Sequence, residues 1–198
     1  MAGRVALVDT GGANIASLDF ALRRLGHETV LTHDAEAIRA ARHVIMPGVG
    51  AASDAMARLK AHGLEAVIPT LEQPVLGICL GMQLLFDGSD EGDVECLGLL
   101  PGRARRFADD PSFPVPQMGW NELERVGDHP LLRGVHDGDF AYFIHSYALP
   151  VTDCTLAAAT YGMAFSAVVG RGNFLGTQFH PERSGAVGAR ILGNFLRL

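Results

Sequence analysis

Residues Pro74 to Phe86 read PVLGICLGMQLLF, an apolar run that ends on Cys79 with a glycine two positions to either side. The run predicts a buried strand that passes directly into a helix. Where a strand breaks sharply into a helix, the side chain at the corner is pushed clear of the sheet, and the N–H groups of the first helical turn face whatever it meets. Gly77 and Gly81 permit strained backbone and a close approach of strand to helix. This layout commits the segment to a strand–corner–helix unit and sets Cys79 where a nucleophile would stand. Taken alone it also suits a small thiol packed in a core, because free cysteine is among the most buried residue types.

A second signal lies a hundred positions on, in Gly176 to Glu182, GTQFHPE. An apolar strand there delivers His180 and Glu182, and Pro181 keeps His180 out of helical backbone. Residues two apart on extended chain point to one side, so Glu182 is expected to reach the imidazole and fix its tautomer and tilt. Cysteine, histidine and an orienting carboxylate are the minimum set for covalent acyl transfer.

Before the cysteine the pattern alternates. Arg4 to Val8, Glu28 to Leu31 and His43 to Met46 read as short strands, with helices over Ile15 to Leu25, Asp34 to Ala41 and Ala51 to His62, the first capped by Asn14. Alternation of this kind implies a parallel sheet covered by helices. From Val94 to Phe179 short strands and turns take over, with a hairpin across Gly170 to Asn173. Ser184 is expected to cap a last helix whose Val187, Ile191, Leu192, Phe195 and Leu196 share one face. With no repeat or long linker, residues 1–198 read as one domain.

Composition removes several classes. A formal charge of −6 argues against general nucleic-acid binding, and Arg103, Arg105 and Arg106 read as a cluster that could meet an acidic partner surface or, as is more often the case, is simply solvated. No run approaches the roughly 20 apolar residues of a membrane span, and MAGRVALVDT lacks a signal-peptide layout, so a cytoplasmic protein is expected. The three cysteines, Cys79, Cys96 and Cys154, show neither a paired framework nor a CxxC spacing, which favours free thiols, and only Cys79 has a chemical context. The eight histidines include no HExxH or close ligand pair, so no metal is expected. The turn Asp9 to Asn14 matches neither GxGxxG nor GxxxxGK[ST], so no nucleotide and no cofactor is expected.

GICLGMQ at the corner and HPE at the distal strand resemble the class I, triad-type glutamine amidotransferases, and the likeness runs from Val5 to the C-terminal helix. The resemblance implies a flavodoxin-like, open, mostly parallel α/β sheet with its active site at the carboxyl ends of the strands. It further implies that Cys79, His180 and Glu182 hydrolyse glutamine through a γ-glutamyl thioester. The N–H of Leu80 and the loop Pro47-Gly48-Val49-Gly50 would supply the oxyanion hole, and Gln83, Glu91, Ser146 and Tyr147 would contact the substrate.

Four further segments, PGVG, VPQMGWNEL from Val115, AYFIHSY from Ala141 and GTQFHPERSG from Gly176, look like the glutaminase subunits of imidazole glycerol phosphate synthases. In that family ammonia passes to a separate (β/α)8-barrel cyclase, which makes imidazole glycerol phosphate and an aminoimidazole carboxamide ribonucleotide in histidine biosynthesis. The glutaminase fold uses up the 198 residues, so such a cyclase is the expected partner. Asn14, Trp120 and Arg183 are the expected interface by resemblance. The family's first turn commonly reads Asp-Tyr-Gly-x-Gly-Asn, whereas Thr10 and Ala13 stand here, a departure that touches the interface and not the triad. The rival readings are the glutaminase of another synthase, which GWN and FIHSY count against, and a silent interaction subunit, which an intact triad counts against. A cysteine peptidase of related fold is disfavoured by Gln83 and HPE.

Overall fold

The computed structural model describes residues 4–11, 15–124 and 126–198. The first half is βα-alternating: β1 (Val5–Val8), α1 (Ile15–Arg24), β2 (Thr29–Thr32), α2 (Ala35–Ala40), β3 (His43–Gly48), α3 (Ala52–Ala61), α4 (Leu64–Val67), β4 (Val75–Cys79) and α5 (Leu80–Gln83). Short strands follow: β5 (Phe86–Ser89), β6 (Val94–Glu95), β7 (Leu100–Arg106), β8 (Gln117–Glu122), β9 (Phe140–His145), β10 (Tyr147–Ala148), β11 (Thr155–Tyr161), β12 (Met163–Arg171) and β13 (Phe174–Thr177), before α6 (Gly185–Phe195). Each expected strand and helix of the first half forms, with ends displaced by one or two residues. The expected cap Asn14 lies outside the described residues, as does Ala13.

The main sheet has seven strands in the order β11-β12-β13-β4-β3-β1-β2. From β13 to β2 neighbouring strands are parallel, while β12 and β11 return antiparallel along one edge. The open, mostly parallel architecture is therefore the expected one. Alternation on β1 shows why both faces are covered. Val5 and Leu7 join Leu18 and Leu22 of α1 and Ile191 and Phe195 of α6 in one apolar cluster. Ala6 and Val8 join Ile38, Met56 and Leu59 from α2 and α3 in the other. A strand buried on both sides reads as a continuous apolar run, as VALV does. Beside this sheet sit a four-stranded sheet, β10-β7-β5-β6, and a two-stranded ribbon, β8-β9.

The expected hairpin is present between β12 and β13. Arg171 pairs with Phe174, and Gly172 takes a φ of +59° while the Asn173 amide donates to the carbonyls of Leu71 (2.7 Å) and Gln73 (3.0 Å). Ser184 stands at the N-cap position of α6 but its side chain makes no capping hydrogen bond among the described residues. Its hydroxyl is used elsewhere, as described below.

At the corner between β4 and α5 the backbones are in direct contact. A Cβ on Gly81 would lie 1.7 Å from the Met46 carbonyl oxygen, and one on Gly77 would lie 2.5 Å from the Gly81 carbonyl oxygen, both far inside the contact limit of real side chains. Neither clash can be relieved by rotating a side chain. Gly81→Ala should therefore cost about 3 kcal/mol or more, read as a lower urea midpoint or as failure to fold.

At the opposite end of the sheet, His43 opens β3 with no solvent exposure, and neither ring nitrogen has a hydrogen-bond partner among the described residues. Its ring meets Phe195 at 5.3 Å and His27 at 6.4 Å. Burial, then the charges of Arg42 and His27, push its pKa from 6.5 down to about 4. The unfolded chain therefore binds this proton more readily, and the associated stability, present above pH 6.5, is lost as the pH falls toward about 4. His43→Leu should unfold with a shallower loss of stability between those values than the wild type in urea titrations at stepped pH.

Candidate active site

Cys79 is the last residue of β4, and its backbone sits at φ 54° and ψ −111°, a strained conformation for a residue with a Cβ. Strain of this kind costs about 1–3 kcal/mol and persists only where the surroundings impose it. Here the imposition comes from the Gly77–Gly81 and Gly81–Met46 contacts, and from the parallel register that sets Gly48 of β3 beside Cys79. The helix that follows is a single turn, Leu80–Gln83, shorter than the apolar run suggested, because β5 begins at Phe86.

The Cys79 Sγ lies 3.7 Å from the Ile144 carbonyl oxygen and 3.7 Å from Gln178 Nε2. His180 and Cys79 line the same cavity, of about 290 Å³, a size near the lower end for small-molecule sites. Glu182 stands behind the imidazole, with its Oε1 2.9 Å from His180 Nδ1. The carboxylate reaches the ring through a one-turn 3-10 helix, Pro181–Arg183, and not along extended chain as the alternation argument supposed. Pro181 presets the φ of that turn, so the backbone curls straight after His180.

His180 is held from several sides. Its N–H donates to the Tyr142 carbonyl at 3.0 Å, and its own carbonyl accepts from the Ser184 hydroxyl at 2.7 Å. The same hydroxyl accepts from the Tyr142 N–H at 2.9 Å, which is why Ser184 does not cap α6. Burial works against protonating this ring, but the hydrogen bonds and charges of Cys79 and Glu182 outweigh it and push the pKa from 6.5 up to about 10. Nε2 meets no partner in good hydrogen-bond geometry among the described residues, so its interaction with sulfur is loosely aligned. A charged imidazole beside sulfur equips the pair for nucleophilic attack and return of a proton.

Most of the residues that the sequence singled out converge on this cavity. Val49, Gly50, Leu80, Gln83, Glu91, Ser146 and Tyr147 line it with Cys79 and His180, while Gly48 lies in an adjoining small recess with His180 and Glu182. Gln83 is buried, and its amide donates to the Tyr147 carbonyl (2.9 Å) and to Gln178 Oε1 (3.0 Å). Glu91 Oε2 accepts from the Ala52 N–H at the start of α3 at 3.0 Å. Burial raises its pKa against the lowering effect of that bond. Thr10, one of the departures from the family's first turn, is buried, and its hydroxyl donates to the Pro47 carbonyl at 2.6 Å.

Trp120 and Arg183 lie away from the cavity, both exposed, whereas Asn14 is outside the described residues. Trp120, 56% exposed, packs edge-on against Tyr142 at 5.9 Å, and the Arg183 guanidinium lies over the Tyr142 ring at 4.3 Å from its centroid. Met118 and Phe140 extend this exposed apolar surface along the β8-β9 ribbon.

Sequence reasoning missed Gln178, Ile144 and His145. Gln178 was visible inside GTQFHPE, but nothing local tells that its amide joins Gln83 to Cys79. His145 also lines the cavity. Its Nδ1 bonds the Tyr147 carbonyl at 2.8 Å, and burial foremost pushes its pKa down to about 4, with His180 adding to the fall. Burial thus favours the neutral form of His145 while Cys79 and Glu182 favour the charged form of His180, so two histidines lining one cavity are pushed in opposite directions.

The three thiols are free, yet their settings differ. Burial pushes Cys96 up to about 11, and Cys154 is buried with Val169 and Leu149 in the core. Limited treatment with iodoacetamide at pH 7 should therefore label Cys79 alone, mapped by peptide mass spectrometry. His180→Asn should slow that labelling by about tenfold or more.

Residues 6–198 match the protein family described as glutamine amidotransferase class-I. Among curated proteins, the imidazole glycerol phosphate synthase subunit HisH of Xylella fastidiosa is 55% identical over 98% of this chain and 97% of its own length. The HisH protein of the same description from Xanthomonas axonopodis pv. citri is 53% identical over the same shares. Among solved structures, a glutamine amidotransferase superposes with a TM-score of 0.74 at 21% identity, covering 98% of this chain and 97% of that one. PurLQS from Thermotoga maritima gives 0.71 at 21% identity, covering 100% and 99%. The structures speak for the fold, and the family match and sequence relatives speak for descent: the chain belongs to the class-I glutamine amidotransferases.

Proposed function

We propose that the chain is the glutaminase subunit of imidazole glycerol phosphate synthase, releasing ammonia from glutamine for a cyclase subunit in histidine biosynthesis. The observation that carries the chemistry is the strained Cys79 corner facing a His180 whose other nitrogen is held by Glu182 at 2.9 Å. Relatives more than half identical over nearly the whole chain carry the pathway.

The reaction follows from these groups. Glutamine enters with its side-chain amide against Cys79 and its α-ammonium toward Glu91, the only carboxylate among the described residues that line the cavity. His180 holds the proton that leaves the thiol, and the sulfur attacks the amide carbon to form a tetrahedral oxyanion. N–H groups of Leu80 and of the Gly48-Val49-Gly50 loop serve that oxygen, each worth about 3 kcal/mol of transition-state stabilisation where such donors have been removed. The imidazolium then protonates the departing nitrogen, and ammonia leaves a γ-glutamyl thioester. Water activated by the now neutral His180 cleaves the thioester to glutamate and regenerates the thiol. Glu182 keeps the ring's tautomer and stabilises its charge throughout.

Ammonia is useful to an acceptor only while unprotonated, so the product must pass through a closed interface. The β8-β9 ribbon offers the docking surface: Trp120, with Met118 and Phe140 exposed beside it, is the natural anchor, and Arg183 lies against it through Tyr142. The Tyr142 carbonyl accepts the backbone N–H of His180, so contact at this surface is one hydrogen bond from the site. No helix among the described residues is long and apolar enough to cross a membrane, and the free thiols favour a reducing, cytoplasmic setting.

Glutamate release should be weak from the chain alone and strongly stimulated by the cyclase with its nucleotide ligand. Glutamine hydrolysis unaffected by the cyclase would assign the chain to a different synthase. In the complex, Cys79→Ala should abolish glutamine-dependent synthesis and leave ammonia-dependent synthesis intact, whereas loss of both would contradict ammonia transfer.

A further inference from the structure

The segment that carries Glu91 is acidic out of proportion to its length: Asp90, Glu91, Asp93 and Glu95 fall within SDEGDVE, which spans the end of β5 to β6. Like charges this close repel, and the loop has little apolar material with which to hold itself together. Gly92 takes a φ of +76° and Asp93 one of +46°, the second an unusual backbone for a residue with a side chain. Such a loop needs a tether.

One side chain supplies it. Arg103, on the neighbouring strand β7, sends Nε to Asp90 at 2.9 Å and Nη1 to Glu95 at 2.9 Å, and Nη2 bonds Asp93. Nη2 also donates to the Ser89 carbonyl at 3.1 Å. The guanidinium thus contacts both flanks of Glu91, and its ion pairs go to the three neighbouring carboxylates. Gly88 is what lets it lie there, since a Cβ at that position would be 2.3 Å from Nη1. The backbone completes the frame: Asp90 N–H donates to the Ala104 carbonyl at 2.9 Å, and Ser89 Oγ accepts from the Glu91 N–H at 3.1 Å. Glu91 then needs only the Ala52 N–H to settle its rotamer.

We propose that Arg103 is a positioning residue for substrate binding, holding the Ser89–Glu95 loop so that Glu91 presents its carboxylate to the cavity. The inference rests on the reading of Glu91 as the partner of the glutamine α-ammonium. Isolated exposed ion pairs contribute little, but a single planar guanidinium shared among three carboxylates and a carbonyl forms a network, and its fork geometry is one that lysine cannot reproduce.

The test is the steady-state kinetics of glutamate release by the chain in complex with the cyclase, with glutamine varied. Arg103→Gln should raise KM by about tenfold and leave kcat within about twofold. Arg103→Lys should fall between it and the wild type, and decides the matter should Arg103→Gln fail to fold: a wild-type KM in the lysine variant overturns the proposal. Glu91→Gln should also raise KM, and in its background Arg103→Gln should add less than about twofold, because the two act through one contact. An Arg103→Gln penalty carried undiminished into the Glu91→Gln background, or an unchanged KM in Arg103→Gln alone, overturns the positioning role. An unchanged KM in Glu91→Gln overturns the assignment of Glu91, and the role of Arg103 with it.

Discussion

The approach of three backbone segments at one corner governs the rest of the molecule. Gly81 rests against the Met46 carbonyl, and Gly77 against Gly81, at separations that admit no side chain. That packing turns the chain at Cys79 into positive-φ backbone, which projects the sulfur out of the sheet and toward the carboxyl ends of β3 and β4. Register does the remainder, because Gly48 pairs with Cys79 and Thr177 with Ile78. The PGVG loop and the residues leading to His180 are thereby delivered to either side of Cys79.

Polar groups around the cavity are arranged as supports, each fixing one degree of freedom of another. Ser184 spends its hydroxyl on the backbone of His180 and Tyr142, and Gln178 links Gln83 to the Cys79 sulfur. The histidines show how far setting outweighs residue type. His180 is pushed up to about 10 by sulfur and carboxylate, whereas His145 on the same cavity is pushed down to about 4 by burial among aromatic rings. A second positive charge beside His180 would weaken its hold on a proton, and the aromatic packing around His145 prevents it.

The strands from β5 to β10 serve the site from outside the main sheet. The β8-β9 ribbon ends at His145, beside Ile144, whose carbonyl meets the Cys79 sulfur, and the same ribbon exposes Trp120 to solvent. The β5-β6-β7 sheet carries Glu91 and the arginine that frames it. Each of these elements couples a surface to the cavity through a few hydrogen bonds.

Much of this was legible in the sequence, and the limit is physical. Period and turn chemistry act over a few residues, so VALV, the glycines around Cys79, the Gly172-Asn173 turn and the apolar face of α6 could be read directly. Cys79, His180 and Glu182 could be singled out as candidates because each sits in a short segment whose residue types suit one chemistry, the resemblance of those segments added Gly48, Val49, Gly50, Leu80, Gln83, Glu91, Ser146 and Tyr147, and the structure brings these residues to one cavity and the small recess beside it. Local rules misjudged Ser184, an ordinary cap by its place, and the path from His180 to Glu182, a tight turn where extended chain was expected. They were silent on Gln178, Ile144 and His145, and they read Arg103 as solvated charge. The sequence by itself determined the corner, the alternating architecture and the residue types that gather at the cavity, since these follow from local backbone preference and side-chain chemistry. Only the tertiary structure decided which hydroxyl serves which backbone, in which direction each histidine is pushed, and which arginine meets which carboxylates, because those partners are far apart in the chain or are set by burial, which no local pattern encodes.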